Sequence, residues 1–221
     1  EMTVLFSDIR GFTNISETLS ANELKDLLNR YFTPMTEIIF DQSGTIDKYV
    51  GDMIMAFWGA PLDDPQQKEH AVMAAILMQR RLKLLREEFA KEGYPQVHAG
   101  VGLNTGMMNV GDMGSSYRRA YTVLGDSVNL GSRLESITKF YGATCLVSET
   151  TKQGLEDKFL FRETDYIIVK GKKEPIRVYE PLETRDAATD DMMRAVDDYH
   201  IARAAYLARK WGEAQSLFSN L

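Results

Sequence analysis

The sequence predicts an α+β domain built on a βαββαβ core, and three observations support that prediction. Short apolar runs alternate with longer segments of helical period over the first half of the chain. A Gly51-Asp52 step separates two neighbouring apolar runs, as a tight hairpin turn does. At 221 residues with 44% hydrophobic side chains, the chain can also bury a core of ordinary size.

The elements of this core follow from local spacing. The first run is apolar and β-branched, and the helices repeat apolar residues at spacings of three and four. Glycine tolerates the positive φ of a hairpin turn, which places Asp52 at a hairpin tip. This order is the split βαβ, ferredoxin-like arrangement, with helices on one face of an antiparallel sheet. The predicted elements are a strand at 2–6, a helix at 22–42, strands at 45–50 and 53–58, a helix at 66–91 and a strand at 97–103.

Additional C-terminal strands and helices follow this core. A helix begins near Asp126 or Ser127, with Ser127 as its cap. The domain is expected to span residues 1–183, and residues 184–221 are expected to form a linker and a helical segment. A tetratricopeptide-like hairpin, a docking helix and the stub of a further domain all fit that tail. The other predicted elements are a glycine-rich hairpin around 109–114 and strands near 120–124, 144–147, 161–169 and 176–180.

The net charge and the cysteine count limit which functions and which cellular compartment are expected. The net charge of −6 argues against a nucleic-acid surface, which needs a clustered basic excess. The single cysteine, Cys145, lies in an apolar run and cannot form an internal disulfide, so we expect a small buried side chain and a cytoplasmic location. The chain enters a strand at once, which suggests a piece of a longer polypeptide with a sensor or membrane region upstream.

Two aspartates indicate a site for hard cations. Asp8 ends the first apolar strand, and it converges with Asp52 if that strand pairs beside the predicted hairpin. Oxygen ligands favour Mg²⁺ or Mn²⁺ over zinc, and the three histidines are scattered. Either aspartate alone is more simply a turn or capping residue, but their joint context favours a metal.

A helix and a basic loop indicate an anion site. Asn129 and Arg133 are four residues apart, so they share one helix face and can reach a single ribose-phosphate group. In an arbitrary helix, both would simply be solvated polar residues. The basic residues at 169–173 are equally consistent with a solvated hairpin loop.

These segments together closely resemble the catalytic domain of class III nucleotidyl cyclases over residues 2–182. The diguanylate cyclases share the ferredoxin-like core, but their Gly-Gly-(Asp/Glu)-Glu-Phe signature has no counterpart here. The motifs that carry the resemblance are FSDIRGF at 6–12, KYVGDMIMAFWG at 48–59, YTVLGDSVNLGSRLE at 121–135 and VKGK at 169–172.

The resemblance implies a two-metal mechanism for ATP. Asp8 and Asp52, with the carbonyl of Ile9, are expected to bind two divalent ions, Mg²⁺ or Mn²⁺. Asn129 is expected to orient the ribose, and Arg133 to stabilise charge on the α-phosphate as the 3′-oxygen attacks it. The products are cyclic AMP and pyrophosphate.

The resemblance also implies which residues bind the rest of the nucleotide. Arg118, which adjoins Arg119, and Lys170 are expected to hold the terminal phosphates. Lys48 donates to adenine N1, and Thr122 accepts from the N6 amine or leaves that contact to a neighbouring backbone carbonyl. Similar guanylyl cyclases place Glu and Cys at these two positions, and the more usual adenylyl cyclases place Asp where Thr122 stands.

The family geometry implies a homodimer. The metal aspartates come from one protomer and the purine, ribose and transition-state residues from the other, and this chain carries both sets. Two alternatives remain: a guanylyl or mixed-specificity cyclase, and a nucleotide-binding regulatory module that has lost turnover.

Overall fold

The structure is a computed structural model that describes residues 1–168 and 174–221. Within these ranges it contains a seven-stranded sheet, a two-stranded sheet and seven helices. The large sheet has the strand order β2-β3-β1-β4-β7-β9-β8, and β5 and β6 form the small one. The elements are β1 (Met2–Ile9), α1 (Phe12–Thr18), α2 (Ala21–Asp41), β2 (Thr45–Val50), β3 (Met53–Trp58), α3 (Gln67–Glu92), β4 (Ala99–Gly106), β5 (Asn109–Gly114), β6 (Arg119–Leu124), α4 (Asp126–Ile137), β7 (Cys145–Ser148), α5 (Glu149–Lys152), β8 (Phe159–Ile167), β9 (Ile176–Thr184), α6 (Asp190–Leu207) and α7 (Trp211–Phe218).

Four strands and two long helices form the predicted core. β1, α2, β2, β3, α3 and β4 follow one another in the chain, and the four strands lie in the order β2-β3-β1-β4. β1 is central because it pairs antiparallel with β3 on one side and with β4 on the other. The ferredoxin-like βαββαβ prediction is therefore confirmed, with the short helix α1 as an unpredicted insertion.

The side chains of β1 show how the sheet is covered. Leu5 and Ile9 belong to the main core formed with α2 and α3. Val4 and Phe6 belong to a second cluster that includes Val128 of α4. Successive residues of a strand face opposite sides, so both faces of this strand are buried. Helices α2 and α3 cover one face as predicted, and α4 covers the other.

Two glycines allow α4 to lie directly on the sheet. A Cβ atom added at Gly102 of β4 would lie 2.2 Å from the backbone nitrogen of Glu135, and one added at Gly131 of α4 would lie 2.8 Å from Cγ1 of Val4. Packed interiors do not accommodate such approaches without displacement. The absence of two side chains therefore fixes the position of α4 and of every residue that it carries.

The start of α4 differs from the prediction. The helix is preceded by Gly125, with φ of 147°, and this N-cap makes no side-chain hydrogen bond. Ser127 lies inside the first turn, where its carbonyl oxygen accepts from Nδ2 of Asn104 at 2.8 Å. The predicted cap at Ser127 is wrong because the entry to the helix depends on a backbone angle that favours glycine.

The additional strands extend the sheet beyond β4. β7 runs parallel to β4, and β9 and β8 follow in antiparallel pairing. Cys145 is buried in β7 as predicted, and burial raises the pKa of its thiol. The glycine-rich segment around 109–114 is strand β5, which forms an antiparallel hairpin with β6, with Asn109 opposite Leu124.

Two helices follow β9: α6 lies against the edge strand β8, and α7 packs against α6. The Glu163 amide of β8 donates to Nε2 of His200 at 2.9 Å, and Nη1 of Arg203 lies 2.9 Å from Oε1 of Glu163. The ring centroids of Tyr199 and Phe218 are 5.8 Å apart and join α6 to α7. The segment thus satisfies a backbone donor that an open sheet edge would expose. Its tetratricopeptide-like character stays a prediction.

The helices of the described part of the chain include none with both the length and the apolar character needed to cross a bilayer.

The contact between Gly102 and α4 predicts a loss of stability in Gly102→Ala. The added methyl group meets backbone atoms that cannot rotate away, so we expect about 1–3 kcal/mol of destabilisation, measured by urea unfolding. Gly212→Ala in α7 is the matched control, because a Cβ there meets nothing within 4 Å. Its stability should be unchanged or slightly higher. Equal unfolding midpoints for Gly102→Ala and the wild type would contradict this packing.

The hydrogen bond from the Glu163 amide to His200 predicts that the packing of α6 against β8 depends on pH. Burial lowers the pKa of His200 below its usual value, so the unfolded segment binds more protons than the docked one as the pH falls below about 6.5. The packing of α6 against β8 should be strongest above that pH and should weaken below it. The hydrogen-exchange protection factor of the Glu163 amide should therefore fall between pH 7.5 and 5.5. His200→Gln, whose oxygen can accept the same bond without titrating, should remove this dependence, and constant protection in the wild type would contradict it.

Candidate active site

Two carboxylates lie together where β1 ends beside the β2–β3 hairpin. Gly51 adopts φ of 63° in the hairpin turn, and Asp52 follows it, as the sequence predicts. Oδ2 of Asp52 accepts a hydrogen bond from the Ile9 amide at 3.0 Å. Since β1 extends to Ile9, Asp8 lies within the strand and is half-buried rather than exposed at the strand end.

The electrostatics of the pair favour a bound cation. The pKa of Asp8 is raised to about 7. Burial is the largest cause, and the hydrogen bond and the charge of the Asp52 carboxyl group add to it. Two carboxylates in contact cannot both ionise cheaply without a compensating charge. Their oxygen atoms, with the Ile9 carbonyl, form the ligand type that Mg²⁺ and Mn²⁺ prefer. The donor set therefore fits the predicted hard-cation site.

A third carboxyl group, which the sequence analysis missed, faces the same region. Glu135 of α4 lines a cavity of about 240 Å³ together with Asp8 and Gly11. Burial raises the pKa of Glu135 to about 7. Within residues 1–168 and 174–221, however, no three acidic, histidine or cysteine side chains form a cluster able to hold a metal. Glu135 therefore does not complete a three-ligand cluster with Asp8 and Asp52 in the described residues.

Helix α4 carries the Asn129 amide and the Arg133 guanidinium, as predicted. Asn129 is exposed and Arg133 is half-buried, one turn apart in a continuous helix. Nη1 of Arg133 is buried and has no hydrogen-bond partner among the described residues. A buried donor without a partner is costly, so Arg133 carries unused capacity to bind an anion.

The two residues expected to contact the purine base, Lys48 and Thr122, both contact a third residue, Asp47. Lys48 lies on β2 with its side chain 44% exposed, and its Nζ is 3.1 Å from Oδ1 of Asp47. The hydroxyl of Thr122, a buried residue of β6, donates to Oδ2 of Asp47. Asp47 was not among the predicted site residues, because strict alternation along β2 places it on the face opposite Lys48.

One of the two residues expected to hold the terminal phosphates, Arg118, makes no hydrogen bond or ion pair with these groups in the described part of the chain. Arg118 is exposed in the turn between β5 and β6, where its amide donates to Oγ of Ser115 at 3.2 Å. Lys170 lies outside the described residues. In the described part of the chain, no hydrogen bond or ion pair joins the pair Asp8 and Asp52 to the group around Asp47.

The comparisons identify the class of this site. Residues 1–180 match the family described as the adenylate and guanylate cyclase catalytic domain. The chain therefore belongs to that family.

Relatives and solved structures agree with this assignment. The chain is 39% identical to an adenylate cyclase of Anabaena cylindrica and 35% identical to adenylate cyclase 1 of Rhizobium meliloti, over 81% of its own length in each case. It spans 36% and 27% of the length of those two relatives. The crystal structure of the adenylyl cyclase CyaB from P. aeruginosa is similar with a TM-score of 0.77 and 38% identity, covering 85% of this chain and 96% of that one. The guanylyl cyclase Cya2 also gives 0.77, with 32% identity and coverage of 85% and 94%.

Proposed function

We propose that this chain is the catalytic domain of an adenylate cyclase that converts ATP to 3′,5′-cyclic AMP and pyrophosphate. The observation that carries the proposal is the contact between Asp8 and Asp52 in a domain of the cyclase family. The adenylate cyclases among its relatives support ATP over GTP. Because those relatives are much longer than this chain, we also propose a sensor or membrane region upstream in the full-length protein.

The acidic pair is the proposed metal site. Asp8, Asp52 and the carbonyl of Ile9 would hold two divalent ions, Mg²⁺ or Mn²⁺. When bound, such ions lower the pKa of the ribose 3′-hydroxyl and offset the charge of the triphosphate. Burial and, to a smaller extent, the neighbouring Asp52 raise the pKa of Asp8, and a positive charge bound there would offset both effects.

The side chains of α4 act on the ribose and the α-phosphate. Asn129 orients the sugar through hydrogen bonds, and Arg133 stabilises the negative charge that builds as the 3′-oxygen attacks in line. Nη1 of Arg133 has no hydrogen-bond partner within residues 1–168 and 174–221, and this supports the role, since a preorganised donor needs no rearrangement at the moment of reaction. Arg118 and Lys170 bind the terminal phosphates. Because the attack is direct, no covalent enzyme intermediate forms.

The chain works as a homodimer in this proposal, with each site shared between two protomers. The separation of the acidic pair from the group around Asp47 supports such sharing. Exposed apolar side chains on β2, on β6 and in the turn between β5 and β6 also support it, because large exposed apolar groups mark interaction surfaces. The most exposed of these are Val50 at 54%, Tyr117 at 98% and Leu124 at 53%.

An assay of the purified protein with Mn²⁺ and either ATP or GTP tests the function. We expect cyclic AMP from ATP, little cyclic product from GTP, and a loss of at least about 100-fold in Asp52→Ala, because one metal ligand is removed. Asp63→Ala, which removes an exposed carboxylate from the loop before α3, is the matched control and should keep full activity. Failure to form a cyclic product from either nucleotide, at concentrations that favour dimers, would refute the enzyme assignment. Near-normal activity in Asp52→Ala would refute the metal site.

A further inference from the structure

Asp47 occupies a β-bulge beside a residue expected to contact the base. Pairing between β2 and β3 steps from Ile46 opposite Ala56 to Lys48 opposite Met55, so Asp47 is the extra residue. Bulges re-aim side chains, and here the Asp47 side chain is completely buried whereas that of Lys48 stays 44% exposed. Burying a carboxylate is costly unless its charge is paired or hydrogen-bonded.

The Asp47 carboxylate connects two strands that belong to different sheets. Its Oδ2 accepts from the Thr122 hydroxyl and, at 3.3 Å, from the Val123 amide of β6. Its Oδ1 lies 3.1 Å from Nζ of Lys48. That oxygen accepts no hydrogen bond from the described residues, so its contact with the ammonium is an ion pair. Asp47 therefore fixes the positions of Lys48 and Thr122 together.

This arrangement also fixes the hydrogen-bonding polarity of Thr122. A threonine hydroxyl has one proton, and an ionised carboxylate can only accept. With that proton donated to Asp47, the Thr122 oxygen can offer a ligand only its lone pairs. It then matches the N6 amine of adenine, which donates, and opposes O6 of guanine, which accepts. Lys48 supplies a donor, which matches adenine N1 and opposes the N1–H of guanine.

We propose that Asp47 is a positioning residue that sets the preference for adenine over guanine by orienting both Lys48 and Thr122. This inference rests on the proposed cyclase function and deepens it. It favours the Thr122 hydroxyl, rather than a neighbouring backbone carbonyl, as the group that reads N6. Asp47 itself does not touch the substrate, and its influence passes through the two side chains that it holds.

Asp47→Asn separates this role from simple packing. The amide has nearly the shape of the carboxylate but only one acceptor oxygen. If that oxygen faces Thr122, the amide nitrogen faces the Lys48 ammonium and repels it. If the amide turns over, its nitrogen donates toward Thr122 and releases the hydroxyl to donate to guanine. Either orientation weakens the selection of adenine, whereas a merely structural residue would change both nucleotides alike.

The test compares kcat and KM for ATP and GTP in the dimeric protein with Mn²⁺. The ratio of kcat/KM for ATP to that for GTP should fall at least about tenfold in Asp47→Asn, chiefly through a higher KM for ATP, since base contacts are made in ground and transition states alike. Asp41→Asn, which neutralises an exposed carboxylate at the end of α2, is the matched control and should keep the wild-type ratio.

Thr122→Val covers the case in which Asp47→Asn fails to fold. It leaves the pair Asp47 and Lys48 in place, and the ratio should again fall about tenfold. In the double variant the loss should be smaller than the product of the two single losses, because both variants act in part through the Thr122 hydroxyl. An unchanged ratio in either folded variant, or a wild type that prefers GTP, would overturn this inference and leave a cyclase. A wild type without any cyclic product would instead refute the proposed function.

Discussion

The hydrogen bond from the Ile9 amide to the Asp52 carboxylate is the contact on which the site depends. It joins the tip of the β2–β3 hairpin to the end of β1, the strand at the centre of the core. It also holds Asp52 against Asp8, whose pKa is raised first by burial and then by the hydrogen bond and charge of Asp52. A site carried by paired strands keeps such a geometry better than one carried by loops.

The acidic pair and the group around Asp47 are separate, and we propose a different function for each. In this proposal the acidic pair binds the cations, and the group of Lys48, Thr122 and Asp47 contacts the base. An adenylyl and a guanylyl cyclase are equally similar in fold, each with a TM-score of 0.77. The backbone therefore does not select the nucleotide. Selection depends on a few side chains and on which of them donates a proton.

Local patterns predicted most of the fold and the acidic pair. Two neighbouring apolar runs and a Gly-Asp step were sufficient to predict the hairpin, and helical spacing was sufficient to place Asn129 and Arg133 on one face. Glu135 and Asp47 were missed for a physical reason. Glu135 approaches Asp8 only because Gly102 lets α4 lie close to the sheet, and Asp47 faces β6 only because of a bulge. Neither the tertiary contact nor the break in alternation is encoded by local spacing.

The central claim is that each site combines the metal aspartates of one protomer with the α4 residues of its partner. Mixing an Asp8→Ala chain with an Arg133→Ala chain tests it most directly. Each variant alone should be nearly inactive. Random pairing makes half of the dimers mixed, each with one intact site, so cyclic AMP formation should recover to about a quarter of the wild-type rate. Activity no higher than that of the two variants measured separately, with mixed dimers confirmed by native mass spectrometry, would contradict a shared site.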